Sequence, residues 1–206
     1  MAKSASKIIV GAEPWIGWAV AEWASAAPHI PTVAVPLAQN QSYIFDFSPL
    51  ENFTGKRATG FVAFGDALLN LRRKELIEKM KALGFALPPL IDPEALIATD
   101  IVVPENAWIR KGVVIATGVT IGPGLYADIG TQINSGSRLG ATVTLGENVR
   151  IATGCSLGDG VTIGADVRLQ PNTQISSSSR ITKPGAYQGT YAATVFIEEQ
   201  FDATIL

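Results

Sequence analysis

Ile133-Asn134-Ser135-Gly136-Ser137-Arg138-Leu139-Gly140-Ala141-Thr142-Val143-Thr144-Leu145-Gly146-Glu147-Asn148-Val149-Arg150-Ile151 is the middle of a stretch, Val103 to Arg180, that repeats every six residues without a break in phase. Cut from Val103, each block opens on Val, Ile or Leu, with Ala127 the one exception. The fifth residue is small or β-branched (Ala107, Val113, Val119, Thr131, Ser137, Val143, Val149, Cys155, Val161), and Leu125 is the large exception. The second is often Gly, as at 122, 140, 146, 158 and 164, and the fourth is mostly Gly, Asn or Asp. Neither a heptad nor a 3.6-residue helix keeps a strict period of six. A short strand followed by a turn does, with two side chains per block pointing inward and glycine free to take a positive φ.

The blocks resemble the hexapeptide repeat of left-handed parallel β-helices, in which three blocks close one triangular coil. The resemblance extends over the chain: a βαβ-like segment, then Pro89-Leu90-Ile91-Asp92-Pro93, then the unbroken array look like the bacterial acyltransferases that acetylate nucleotide-linked amino sugars or sialic acid. The expected fold is a small Rossmann-like α/β domain over 1–87, a left-handed β-helix over 88–186, and a C-terminal cap over 187–206.

Composition agrees with a soluble protein and narrows the partners. A net charge of −2 with both signs scattered gives no footprint for nucleic acid or an anionic membrane. Neither a secretory leader nor a membrane-spanning run is present, so the expected location is the cytoplasm. Cys155, the single cysteine, falls on an inward repeat position and reads as a small core residue.

Ahead of the array, Lys7–Val10 reads as a strand ending at Gly11, and Pro14 opens a helix whose apolar face is Trp15, Trp18, Ala19, Trp23 and Ala26, with Glu22 at its edge. Thr32–Val35 is a second strand, Tyr43–Phe47 a short third and Gly60–Phe64 a further one. Asn70–Leu83 is a helix with Arg72, Arg73, Lys74, Glu75, Glu78, Lys79 and Lys81 on its solvated side. Strands alternating with helices imply a parallel α/β unit, whose ligands sit beyond the carboxyl ends of the strands. Gly11, Ala12, Gln39, Gly65 and Asp66 fall at that edge and are the candidate sugar-nucleotide contacts. The first turn, Gly11-Ala12-Glu13-Pro14-Trp15-Ile16-Gly17, keeps only the first glycine of a phosphate-binding turn, and Glu13 carries the wrong charge for one.

The resemblance implies a homotrimer, acetyl-CoA as donor in a groove between adjacent β-helices, and a histidine that deprotonates the attacking amine or hydroxyl. An ammonium cannot attack a thioester, so some group must take its proton. The family segment Ile-Asn-Thr-Gly-x-x-x-x-His reads here Ile133-Asn134-Ser135-Gly136-Ser137-Arg138-Leu139-Gly140-Ala141, and Ala141 stands where the base is expected. A second family histidine is Arg150, and the one histidine of the chain, His29, lies in an N-terminal loop. With one histidine where a zinc site of that kind needs three, the carbonic-anhydrase branch is excluded and no metal is expected. Residues eighteen apart stack in successive coils, so Asp159 comes within about 4.8 Å of the Ala141 coil. Asp159 and Glu147 are therefore candidate replacement bases, and Asn134 a candidate orienting residue; ordinary turn chemistry is the stronger account of the aspartate. Ala152, Gly154, Gly160, Arg180 and Lys183 are the candidate CoA contacts. Two readings stay open: a CoA-dependent amino-sugar acyltransferase with an atypical site, or a non-catalytic relative acting as a trimeric sugar-nucleotide or CoA binder or scaffold. The exit segment, Lys183 to Ala193, resembles the family's, with Tyr191 in place of its proline. Val195 to Leu206 is expected to cap the open end.

Overall fold

The computed structural model of the chain describes residues 6–38, 44–51, 53 and 59–198. The strand and turn alternate as the six-residue period dictates. Two-residue strands such as Trp108–Ile109, Val114–Ile115 and Thr120–Ile121 occupy the sixth and first positions of the blocks and pair in parallel with the strand eighteen residues on. Three parallel sheets result, forming the faces of a left-handed β-helix. Side chains at the first and fifth positions fill its interior; Leu125, Val143, Val149, Cys155 and Val161 are all 0 % exposed.

The repeat uses its glycines in two different ways, and only one was expected. Positive φ falls on the fourth position, at Gly112, Gly118, Gly136, Gly154 and also at Thr142, Asn148, Asp166 and Asn172. The second-position glycines are required by close approach instead. A Cβ on Gly140 would lie 2.6 Å from the Asp159 nitrogen, and one on Gly158 would lie 2.5 Å from the Ser177 nitrogen. The coils stack too tightly there for any side chain.

The paired strands run past both ends of the array seen in sequence. Leu90–Ile91 and Leu96–Ile97 pair with Trp108–Ile109 and Val114–Ile115. Gly185–Tyr187, Thr190–Tyr191 and Phe196–Ile197 extend all three sheets. The segment expected as a cap is thus β-helix through Ile197. The paired positions Tyr187 and Tyr191 are four residues apart instead of six, which put this coil out of phase with the repeat. Residues 199–206 lie outside the described residues.

The N-terminal unit is a three-stranded parallel sheet of order β2-β1-β3, with β1 Lys7–Gly11, β2 Thr32–Pro36 and β3 Thr59–Ala63. Helix α1, Trp15–Ala26, covers one face, and α3, Leu71–Ala82, the other; α2 is the short turn Ser48–Glu51. Where a strand over Tyr43–Phe47 was expected, Phe45 is buried against Phe64 and Phe47, and the chain turns into α2; Tyr43 is outside the described residues. On α1 the buried stripe is Ile16, Ala19 and Trp23, while Trp18 is 42 % exposed, contrary to expectation.

One β-helix face carries the N-terminal unit, and its outward column reads Leu90, Trp108, Tyr126, Thr144, Thr162, Arg180. The first three pack under α1 with Ile16, Ala19, Trp23 and Phe61. Glu22 of α1 accepts from the Trp108 indole at 2.6 Å and from Arg110 at 2.8 Å. Asn106 closes the edge of β3: its side chain accepts from the Val62 N–H at 2.7 Å and donates to the Val62 carbonyl at 3.1 Å. An edge strand is thereby shielded by an amide that mimics a neighbouring strand.

Candidate functional site

The upper half of the same column meets α3. Asn70, at the α3 N-cap with φ +65, is 0 % exposed. Its Nδ2 donates to the Gly160 carbonyl and to Thr162 Oγ1, both at 3.0 Å, and its Oδ1 accepts from Thr144 Oγ1 at 2.6 Å. Arg73 follows one turn later and is buried, not solvated as its place on a charged helix implied. Its Nη2 donates to the Thr142 carbonyl at 2.8 Å, the Val143 carbonyl at 3.2 Å and Thr144 Oγ1 at 2.9 Å. Burial pushes the guanidinium down to about 10, against the pull of Asp66 and Tyr126. The corner that bears Ala141 and Thr142 is therefore clamped from outside by α3.

That corner turns from the Thr120/Arg138/Ser156 sheet to the Tyr126/Thr144/Thr162 sheet. Asp159 stacks on Ala141 as the eighteen-residue spacing requires, and its Oδ1 accepts the Ala141 N–H at 2.8 Å. Gly160 N donates to the Ala141 carbonyl at 2.8 Å, and Asp159 N to Ser177 Oγ at 3.1 Å. Asp159 itself is exposed. Between α3 and the corner lies a cleft of about 140 Å³, lined by Lys74, Ile77, Glu78, Lys81, Glu105 and Ala141 among others. Across the corner, an open groove of about 400 Å³ follows Ser156, Gly158, Gln174, Ser176, Ser177 and Thr190.

The other expected site residues separate around the triangle. Asn134 lies on the turn entering the Ser156 sheet, where its Nδ2 donates to the Ile151 carbonyl at 3.0 Å. Ala141 and Asp159 share the next corner, and Glu147 is exposed on the third. Within one chain, Asn134, Ala141 and Glu147 occupy three corners of one coil. His29 is exposed in the turn before β2, at the opposite edge of the sheet from Gly65.

The expected CoA contacts are likewise not brought together. Ala152 and Gly154 share the corner with Asn134, and a Cβ on Gly154 would meet Asn172 Oδ1 at 2.5 Å, which is ordinary coil stacking. Gly160 lies beneath Leu69, whose carbonyl oxygen is 3.1 Å from its would-be Cβ. Lys183 is on the third corner, and Arg180 points at the N-terminal unit. The substrate side is more compact. Gly11 and Ala12 end β1 beside Gly65 and Asp66 at the end of β3, with Ala12 N bonded to the Ala63 carbonyl. The Trp15 ring fills the space over Gly65, so that a Cβ there would lie 2.7 Å from it. Asp66 is ion-paired with Arg180, which also pairs with Glu198 at 2.9 Å. Gln39 lies outside the described residues. Cys155 is buried with its thiol pushed up by desolvation, as befits a core residue.

Sequence reasoning missed Asn70, Arg73, Asn106 and the partner of Asp66. The signal was available: the outward column passes from Leu-Trp-Tyr to Thr-Thr-Arg, an apolar-to-polar change that marks what covers each coil.

Residues 142–177 match the profile of the bacterial transferase hexapeptide (six repeats) family. No curated protein sequence matches the chain. Among solved structures, the acetyltransferase domain of PglB from Neisseria gonorrhoeae FA1090, in complex with acetyl coenzyme A, is similar over 93 % of this chain and 96 % of its own, at 22 % identity and TM-score 0.78. PerB from Caulobacter crescentus, in complex with CoA and GDP-perosamine, is similar over 93 % of both chains, at 21 % identity and TM-score 0.80. WeeI from Acinetobacter baumannii AYE is similar over 93 % of this chain and 96 % of its own, at 12 % identity and TM-score 0.68. The array is a hexapeptide-repeat β-helix, and the α/β unit stands in front of it as in these proteins. Among the described residues no helix is long and apolar enough to cross a membrane.

Proposed function

We propose that the protein is a cytoplasmic homotrimer that transfers an acetyl group from acetyl-CoA to the amine of a nucleotide-linked sugar. The observation that carries this reading is the likeness, over nearly the whole of this chain, to the acetyltransferase domain of PglB and to PerB, which are described with acetyl-CoA or with CoA and GDP-perosamine. The dispersal of Asn134, Ala141 and Glu147 over three corners supports a site completed by a neighbouring copy. In that site Gly11, Ala12, Gly65 and Asp66 face the nucleotide. The small-residue groove from Ser156 to Ser177 takes the pantetheine arm, with Ala152 and Gly154 along its neighbouring edge.

Chemistry then centres on the Ala141 corner. The sugar ammonium gives a proton to Asp159, whose carboxylate is fixed by the Ala141 N–H, and the freed nitrogen attacks the thioester carbonyl carbon. The C–N bond forms and the C–S bond breaks; the nitrogen gives up its second proton to the departing CoA thiolate, and the proton held by Asp159 passes to solvent. An exposed carboxylate is a weaker base than a histidine, so the reaction is expected to be slow. Ala141 itself favours a second reading, a trimer that binds these ligands without turnover.

The test is calorimetric titration with acetyl-CoA and then with UDP-, GDP- and dTDP-linked amino sugars, followed by mass spectrometry of the mixture. Binding of both with N-acetylated product supports transfer. Binding without product leaves the non-catalytic reading, and binding of neither removes both.

A further inference from the structure

We propose that Arg180 is the anion-binding side chain at the carboxyl edge of β1 and β3, the group that receives the diphosphate of a nucleotide-linked substrate. Asp66 and Glu198 occupy its guanidinium when no ligand is present. The inference rests on the nucleotide reading above and reassigns Arg180 from the CoA side to the sugar-nucleotide side.

Among its described residues the carboxyl edge offers a diphosphate no cation of its own. Its described turns carry Glu13 and Asp66, both anionic, and the first turn keeps one glycine of a phosphate-binding loop. A phosphate there needs a cation from outside the sheet. Arg73 touches the same edge through the Phe64 carbonyl at 3.5 Å, but it is 3 % exposed and committed to Thr142 and Val143. Arg180 comes from the β-helix, on the outward column above Thr144 and Thr162. Its Nη1 meets Asp66 Oδ2, and its Nε meets Glu198 Oε1 at 2.9 Å. The side chain is still 29 % exposed, so a ligand can reach it.

Two carboxylates on one guanidinium give the cluster a net charge of −1, which repels a phosphate as it stands. Binding therefore exchanges a carboxylate for a phosphate on a planar fork suited to either. The carboxylates act as competitors built into the fold. Asp66 follows Gly65 directly, and Glu198 directly follows the final strand, Phe196–Ile197, so either can swing away without disturbing a strand.

The experiment measures dissociation constants for UDP, GDP and dTDP, and separately for CoA, on the full chain and on Arg180→Gln, Arg180→Lys and Glu198→Gln, with melting curves as a fold control. Arg180→Gln is expected to weaken the preferred nucleotide at least 10-fold and to leave CoA within twofold. Arg180→Lys keeps the charge without the fork and weakens it about 3- to 10-fold, and this variant carries the test if Arg180→Gln does not fold. Glu198→Gln removes a competitor and is expected to tighten nucleotide binding. Loss of CoA affinity with nucleotide affinity intact would overturn the proposal, as would a lowered melting temperature with unchanged affinities. If the parent chain binds CoA but no nucleoside diphosphate, the nucleotide reading itself fails, and Arg180 with it.

Discussion

Asp159 Oδ1 accepts the backbone N–H of Ala141 at 2.8 Å, so the carboxylate next to the position expected to hold a base is itself part of the turn. Structure and chemistry can be separated by substitution. Asp159→Asn keeps an acceptor oxygen and is expected to leave stability within about 0.5 kcal/mol, whereas Asp159→Ala loses about 1 kcal/mol. Transferase activity, if it depends on proton removal there, falls at least 10-fold in both. Equal activity in Asp159→Asn and the parent protein would remove Asp159 from the mechanism.

Arg73 gives a second prediction. Its guanidinium is buried against the Thr142 and Val143 carbonyls and Thr144 Oγ1, with no carboxylate among the described residues bonded to it. Arg73→Ala takes the donor from the Thr142 carbonyl, while the Val143 carbonyl keeps the Tyr126 N–H and Thr144 Oγ1 keeps Asn70, and is expected to cost about 3 kcal/mol in urea unfolding. Lys74→Ala, at an exposed neighbour, is expected to change stability by less than about 0.5 kcal/mol.

The two kinds of glycine are distinguishable. A Cβ on Gly136 meets nothing within 4 Å, and its cost is limited to the φ of +70. Gly136→Ala should therefore lose about 1 kcal/mol. Gly140→Ala places a Cβ 2.6 Å from the Asp159 nitrogen and 2.7 Å from the Gly158 carbonyl carbon, so the coils must move apart. Its loss is expected to exceed that of Gly136→Ala by at least about 2 kcal/mol. Comparable melting temperatures for the two variants would contradict this division of labour.

Lys7 sets a pH dependence. Its ammonium lies 3.6 Å from the centre of the Trp23 ring, and burial lowers it from 10.5 to about 8. The unfolded chain holds that proton up to about pH 10.5, while the folded chain releases it near pH 8. Stability thus rises between pH 8 and 10.5, and that increment is lost as pH falls through 8. Lys7→Met should flatten this part of the profile, as read from chemical denaturation at a series of pH values.

The β-helix was legible because its period is local: a block of six carries its own turn and its own inward residues. What the sequence concealed was anything read across coils. Arg73 sits among six charged neighbours on α3 and looks solvated until Thr142 and Thr144 are placed beside it. Arg180 and Asp66 are separated by more than half the chain, and each was assigned to a different ligand before they proved to be partners. Asp159 was found because the eighteen-residue stack reduces a distant pair to arithmetic. Applied to outward positions, the same arithmetic leads to Thr144, Thr162 and Arg180. The last coil escaped for the opposite reason, since a four-residue step between Tyr187 and Tyr191 breaks the rhythm.

The column Leu90, Trp108, Tyr126, Thr144, Thr162, Arg180 makes the N-terminal unit a ruler laid along the solenoid. A repeat protein ordinarily tolerates gain or loss of a whole coil, because each coil answers only to its neighbours. Here an excised coil would bring a tyrosine beneath Asn70, or an arginine where Thr162 now stands. Stacking would survive and docking would not. The length of the β-helix is therefore fixed by a second surface that counts its coils.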